Sequence, residues 1–473
     1  MAMRIKATDL YVLTECNRQV YLDYHGDPAD RVPLAPYYTW LIARGLDFEQ
    51  QVIASLGVSP LDFPTDDLDA GFQQTLALMR QGIALIYQGV LIHGNLVGQP
   101  DLLQRVPGAS RFGPYFYRPI DVKSASRAER GHRLQVMAYI ALLEAIQGAR
   151  PDGALWLRPP VGEESAEGDH VEEIVKFDER LYQEALEQVL ALAAGREPLP
   201  FVSSVCNQCA WQEVCRPIAE RQQDVSLIPG LRRATWDELH ARGLGTLRAV
   251  AGLPREVLLN VRGIGEKTAD FIRLQAQALV NGQVIQIAPP PLRPADPAIF
   301  FDVESLPGEG LFYLMGTLIR QAGRDSFACD LARQPEDEGA MWQSFLTRMD
   351  ALAGPVYHYG VYERTAVRRL ADKHSDGGRA GALLDRMIDL ERALRDSVVL
   401  PLSGYSLKEV GPWLGFEWTG QTGSADEAMI EYLGWLDDGD PAHLSHILRY
   451  NEDDCRATAA VYDWLLSLAP NDL

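Results

Sequence analysis

Two stretches of the chain set carboxylates at spacings that could share a cation. GQPDLL places Asp101 after Pro100, and IDVKS, twenty residues on, supplies Asp121 and Lys123. Strand side chains alternate between faces, so Asp121 and Lys123 point the same way. Carboxylates so placed suit a hard divalent ion such as Mg2+ or Mn2+, which activates water and neutralises the charge developing on a phosphodiester. A lysine beside them orients that water or stabilises the transition state. Gln135 and Tyr139, four residues apart in HRLQVMAYIALLEAIQG, share a helix face that can turn back toward the same place.

The second stretch lies near the C-terminus. FFDVES puts Asp302 and Glu304 on one strand face, and RYNEDDC puts Tyr450 and Asp454 on one helix face, with Glu452 and Asp453 expected toward solvent. HYGVYERTAVRRL offers Glu363 where a helix begins after a strand. Carboxylates converging from a strand, a helix start and a final helix could hold two ions that clamp the attacking and leaving oxygens of a phosphodiester.

The cysteines and the charge narrow the class further. Cys206, Cys209 and Cys215 form C-x2-C-x5-C, which in a reducing compartment reads as metal or cluster ligation rather than as disulfides, while Cys329 and Cys455 stand apart as isolated thiols. A net charge of −21 argues against a protein that coats nucleic acid through its overall field. It leaves open a nuclease, whose carboxylates gather at metal sites. Residues 226–282 are the one basic island, with eight arginines and lysines against five acidic residues. Inside it, VRGIGEKTADFIRLQ sets Gly263 and Gly265 two apart before a helix starting near Glu266. The P-loop pattern G-x4-GK[ST] is not met there, because Glu266 precedes Lys267, so no ATPase motor is visible.

These groups need elements to position them, and 473 residues allow roughly three domains of α/β type. In YYTWLIARGLDFEQQVIASLG, Leu41, Gly45, Phe48 and Val52 fall on one helix face. GVLIHGNLVG and YFYRPIDVKS read as strands flanking a turn-rich stretch, and GALWLRP as a further strand. The Pro-rich run IAPPPLRPADP predicts a semi-rigid spacer. AIFFDVES, LFYLMGTLIR and SFACDLA read as three successive strands, followed by helices around GPVYHYG and a final helix, HLSHILRYNEDDCRATAAVYDWLL. The expected domains are 1–223, 224–284, a linker over 285–297, and 298–473. No apolar run approaches the ~20 residues of a membrane helix. With no signal-peptide pattern at the N-terminus, a cytoplasmic protein without a membrane partner is expected.

Residues 1 to about 220 resemble the RecB-type branch of the PD-(D/E)xK nucleases, including CRISPR-associated members that carry an iron-sulphur cluster. Asp101, Asp121 with Lys123, and Gln135 with Tyr139 match its PD, D/E-x-K and Q-x3-Y motifs. The resemblance implies a restriction-endonuclease-like fold and places Glu49 at the position of an upstream His, as a further metal ligand. It also joins Cys16 to Cys206, Cys209 and Cys215 around a 4Fe-4S cluster, although four thiolates equally suit tetrahedral Zn2+. The segment around Gly263 and Gly265 resembles a helix-hairpin-helix, whose backbone N–H groups take a DNA phosphate without reading sequence, with Arg262 and Lys267 adding phosphate contacts. The preceding IPGLRRATWDELHARGLGTLRAVAGL looks like a first copy.

Residues 298–473 resemble the DEDD exonucleases of the ribonuclease-H-like superfamily in their tyrosine variant, DEDDy. That resemblance implies a mixed-sheet domain in which Asp302, Glu304 and Asp454 bind metal and Tyr450 orients the nucleophilic water. Glu363 stands where the family has Asp, Asp389 in RMIDLERAL plays a supporting part, the GYSLKEV segment also resembles the family, and the polarity is 3′-to-5′. Together the resemblances imply a protein of two nuclease domains acting on DNA, at single strands or ends, in repair, recombination or CRISPR-type processing, with a helicase or repair partner. Two other readings stay open, an RNA-trimming exonuclease and a scaffold of degenerate nuclease folds.

Overall fold

The run YFYRPIDVK is apolar enough to be covered on both faces, and it becomes the central strand, Gly113–Lys123, of a five-stranded sheet. The computed structural model describes residues 3–61, 63, 67–159 and 170–468. It divides into two units, Met1–Ile218 and Ala219–Leu473.

In the first unit the strand order is Leu85–Tyr87, Leu102–Ser110, Gly113–Lys123, Gly153–Leu157, Val171–Val175. The central strand runs antiparallel to Leu102–Ser110 and parallel to Gly153–Leu157. A parallel pair needs a crossover, here the helix Arg130–Gln147, which is buried on most of its surface and ends at Gly148 in the left-handed conformation. The stretch expected to be turn-rich is therefore the strand Leu102–Ser110. Its Pro107 and Gly108, which read as breakers, sit at an irregularity in the ladder between Pro107 and Ser110. GVLIHGNLVG is not one strand but two, Leu91–His93 and Leu96–Gly98, turned by Gly94 at φ +59° and joined to Ile5–Lys6 in a small separate sheet. On the helix Pro36–Ala54, Phe48 and Val52 are buried, whereas Leu41, expected on the same covered face, is 37% exposed.

The second unit is built on a sheet ordered Arg324–Leu331, Leu311–Gln321, Ala298–Leu306, Val356–His358, Met387–Asp389. The first three strands form an antiparallel meander, and the last two add in parallel to the far side of Ala298–Leu306. The 27-residue helix Pro441–Ser467 packs on Ala298–Leu306 and Leu311–Gln321. Ahead of the sheet lie the helices Arg233–Ala241, Leu247–Ala251, Arg255–Leu259 and Glu266–Asn281. Of the three turns between these helices, the first and the last each carry a left-handed glycine, Gly243 at φ +72° and Gly263 at φ +86°. Asp224 organises the first pair. It accepts from the Ser226 N–H and from Trp236 Nε1, and lies 2.8 Å from His240 Nε2.

Residues 285–297 are not a free spacer. Ile285–Gln286 pairs with Val398–Val399, Leu292 is buried, and the Ala295 N–H donates to Tyr462 Oη. Proline fixes φ and removes N–H donors, but it does not prevent packing, and here the stiff run is laid onto a core. The helix Glu266–Asn281 docks on the same core through Gln275, fully buried, which donates to the Leu400 and Leu402 carbonyls and accepts from Tyr405.

A methyl group on Gly98 would lie 2.7 Å from Tyr139 ring carbons. Gly98→Ala should destabilise the first unit by about 1–3 kcal/mol, read as faster hydrogen exchange along Arg130–Gln147.

Candidate active sites

The end of Gly113–Lys123 and the loop leading into Leu102–Ser110 bring Asp101, Asp121 and Lys123 together. Asp121 is buried, and Lys123 Nζ lies 2.6 Å from its Oδ2. Asp101 Oδ2 accepts from the Val122 N–H at 2.6 Å, which pins this carboxylate to the strand carrying the other two groups. Burial, and then the neighbouring Asp121, hold the Asp101 carboxyl well above the usual carboxylate range. Burial alone would lower the Lys123 ammonium, but Asp121, Asp101 and Glu49 outweigh it and raise it, so the lysine stays charged.

Glu49 reaches the same field from the helix Pro36–Ala54. Its Oε1 accepts from Tyr87 Oη at 3.1 Å and from Gln88 Nε2 at 3.4 Å, and the Tyr87 hydroxyl is pushed up to about 12 by burial and by Glu49. Gln135 and Tyr139 do share a buried face. Gln135 Nε2 donates to Tyr139 Oη at 2.7 Å, and Tyr139 donates to the Gln99 carbonyl at 3.4 Å, beneath the carboxylates. Burial, then the negative field of Asp121, raise the Tyr139 hydroxyl and keep it a proton donor.

Sequence reasoning missed His132 and Tyr11. The His132 ring stacks on Tyr11 with centroids 5.3 Å apart, and its Nδ1 accepts from the Glu129 N–H at 3.2 Å. Burial and then Lys123 lower its affinity for a proton, which favours a neutral ring beside the charged lysine. Tyr11 comes from a helix more than a hundred residues upstream, so no local spacing could reveal the pair.

The second site forms where Ala298–Leu306 meets Pro441–Ser467. Ligand atoms of Asp302, Glu304 and Asp454 lie within 4.8 Å of one another, the only such His, Cys, Asp or Glu group among the described residues. Asn451, one turn before Cys455 on the final helix, donates from Nδ2 to Asp302 Oδ2 at 2.6 Å. Burial, and then Asp454, push Glu304 up to about 8, and burial followed by Glu304 and Asp454 holds Asp302 well above the usual carboxylate range. Tyr450 is buried, and burial with the three carboxylates raises its hydroxyl far above the ordinary value, so it stays protonated.

Glu363 begins the helix Tyr362–Lys373 and adds to the negative field on Asp302, but it stands outside the three-carboxylate group, with Oε2 at 3.4 Å from His358 Nδ1. Asp389 supports the region by accepting from the Gly360 and Arg392 N–H groups. Asp453 does not face solvent. It is 1% exposed and accepts from the Thr419 and Gly420 N–H groups, fastening the loop that carries Trp418. Lys408 lies in GYSLKEV, whose resemblance to the family assigns the lysine no role, and its Nζ donates to Asp454 Oδ1 at 2.7 Å.

None of the six cysteines is in a disulfide. Burial, and then the Cys16, Cys215 and Cys206 thiols, push Cys209 up to about 11. Among the described residues no three of their sulfurs lie within 4.8 Å of one another, so the thiols form no closed tetrahedral site. Arg262, Gly263, Gly265 and Lys267 are all exposed at the start of Glu266–Asn281.

Residues 47–216 match the family model of the PD-(D/E)XK nuclease superfamily, and residues 299–466 match RNase_H_2 of the RNase H superfamily. No curated protein matches the chain. The chain is a mixed α/β protein, and the two matched segments support a fusion of two nuclease-superfamily domains and a metal-dependent nuclease acting on nucleic acid. No helix among the described residues is long and apolar enough to cross a membrane.

Both centres suit a hard divalent cation by the chemistry of their donors, which are carboxylate oxygens crowded against like charge. When bound, such an ion supplies Lewis acidity and positive charge at the scissile phosphate. Because Glu304 is held near 8 against an ordinary 4.5, the unfolded chain ionises this group first, and the fold loses stability as pH rises through that window. In chelator, the denaturation midpoint of the second unit should therefore fall between about pH 4.5 and 8 and then level off. Added Mg2+ should bind more tightly over the same interval.

Proposed function

We propose that the chain is a Mg2+- or Mn2+-dependent nuclease with two hydrolytic centres, acting on DNA at single-stranded stretches or ends, the second centre working as a 3′-to-5′ exonuclease. The observation that carries the reading is the three-carboxylate group of Asp302, Glu304 and Asp454 with protonated Tyr450 on the same helix face. In this reading Asp302, Glu304 and Asp454 hold the ion, and the Tyr450 hydroxyl orients the attacking water. At the first centre Asp101, Asp121 and Glu49 hold metal, Lys123 stabilises the charge on the phosphate, and Gln135 with Tyr139 sets the floor beneath them.

Support for DNA comes from the exposed turn at Gly263 and Gly265 with Arg262 and Lys267, which suits a helix-hairpin-helix phosphate contact. With no P-loop in the chain, an external helicase or repair or CRISPR-type machinery would supply unwound ends. A 4Fe-4S cluster on Cys16, Cys206, Cys209 and Cys215 would tie the N-terminus to the end of the first domain in a structural role. Its support is the C-x2-C-x5-C spacing of Cys206, Cys209 and Cys215, with the resemblance that joins Cys16 to them.

On labelled single-stranded DNA with Mn2+, Lys123→Ala and Asp302→Ala should each remove one set of products by at least ~10²-fold, and the double variant should be inert. DNA left intact by the unaltered chain, or RNA degraded faster than DNA, would overturn the assignment. Anaerobically purified protein should contain iron and sulfide in equal amounts, and Cys209→Ser should lose both together. Zinc in their place would contradict the cluster.

A further inference from the structure

The helix Pro36–Ala54 brings more to the first centre than Glu49. Trp40, Arg44 and Phe48 recur every four residues and so share one helix face. The Arg44 guanidinium lies 4.9 Å from the Trp40 ring centroid, and that of Arg158, which follows the strand Gly153–Leu157, lies 5.0 Å from the centroid of Phe48. Two cations are thus laid on aromatic faces one turn apart. Arg158 sits at the same end of the sheet as Lys123, since its backbone N–H donates to the Lys123 carbonyl at 3.3 Å and to the Ala125 carbonyl at 3.1 Å. Gly45, next to Arg44, passes close to the residue after Lys123, so that a methyl group on it would lie 3.6 Å from Ser124 Oγ.

Among the described residues Arg158 forms no ion pair, and the neighbouring charge that acts on it is a second cation, because burial and then Arg44 lower its affinity for a proton. It stays charged all the same, and so calls for an anion. Beside the two arginines the helix leaves Ile42 55% and Leu46 52% exposed, and the spacing of these residues carries their stripe on to Glu49 and Ile53. Apolar surface next to guanidinium groups suits a single strand of nucleic acid, whose unpaired bases are free to lie on it while its phosphates take the arginine forks. A duplex keeps its bases inside and offers phosphates alone. An acidic protein would match the charge as well, but a strand entering the first centre has to run past this face.

We infer, resting on the nuclease reading of the first centre, that Arg158 and Arg44 clamp the backbone of a single strand at the mouth of that centre, with its bases laid against Ile42 and Leu46. Both arginines are positioning residues. They hold phosphates beside the one being cut and touch none of the reacting atoms. The clamp favours unpaired strand over duplex at this centre.

An oligothymidylate carrying 4-thiothymidine, bound to the full chain in chelator and irradiated, should crosslink within Pro36–Ala54. In the full chain carrying Asp302→Ala, which leaves the first centre to cut, Arg158→Ala should raise KM for the oligothymidylate by ~10-fold and leave kcat as it was. It should also flatten the dependence of log KM on log salt by ~0.7, the share of one phosphate contact on a single strand, and adding Arg44→Ala should flatten it by a further ~0.7. Arg158→Lys keeps the charge and should keep the slope. A salt slope unchanged by Arg158→Ala would overturn the inference, as would a loss of kcat with KM at the parent value, by making the arginine a support for Phe48 alone. Crosslinks confined to other elements would overturn it too and leave this face to a protein partner. Crosslinks in Pro36–Ala54 from an Asp302→Ala chain that cuts nothing would sink the nuclease reading of the first centre while leaving the clamp intact.

Discussion

Like charges held together out of water are what the rest of this structure has to accommodate. Two unit charges about 4 Å apart repel by about 4 kcal/mol at an effective dielectric near 20. Asp302, Glu304 and Asp454 press three carboxylates inside a comparable distance, and Asp101 with Asp121 repeats the problem in the other unit. Each centre answers with one lysine, Lys408 on Asp454 and Lys123 on Asp121, and with protons retained on the carboxyls. One ammonium is too little for three carboxylates, and the remainder is the demand that a divalent cation meets.

The folds exist to make this crowding stable. In both units the chemistry sits at a strand held in the interior of its sheet, Gly113–Lys123 or Ala298–Leu306, where backbone pairing on both sides fixes the carboxylates without help from their own side chains. The irregularity after Glu304 turns the chain just beyond the acidic pair. The partners then come from distant elements that bury large apolar faces, the helix Arg130–Gln147 in one unit and Pro441–Ser467 in the other. The desolvation that raises the carboxyls is thus the same burial that stabilises the domains.

What was legible in the sequence follows from how local each geometry is. Asp121 with Lys123, Asp302 with Glu304, and Tyr450 with Asp454 need only the period of one strand or one helix, and the structure sets each pair on a shared face. Lys408, Trp418, Asn451 and His132 could not be read that way, because their partners lie far along the chain. A signal existed for Lys408, since GYSLKEV resembles the family and the chain has only six lysines. Asp453 was misread because adjacent acids suggest a solvated face, whereas this one satisfies two backbone amides. Leu102–Ser110 and residues 285–297 were misread because Pro and Gly punctuate only where no neighbouring strand or core absorbs them.

The central claim is that both carboxylate clusters are built to receive divalent metal. Anomalous diffraction from crystals of the chain grown with Mn2+ tests it without relying on any substrate. The account predicts one peak among Asp101, Asp121 and Glu49 and another among Asp302, Glu304 and Asp454. Crystals that bind Mn2+ elsewhere and show no peak at either cluster would contradict it.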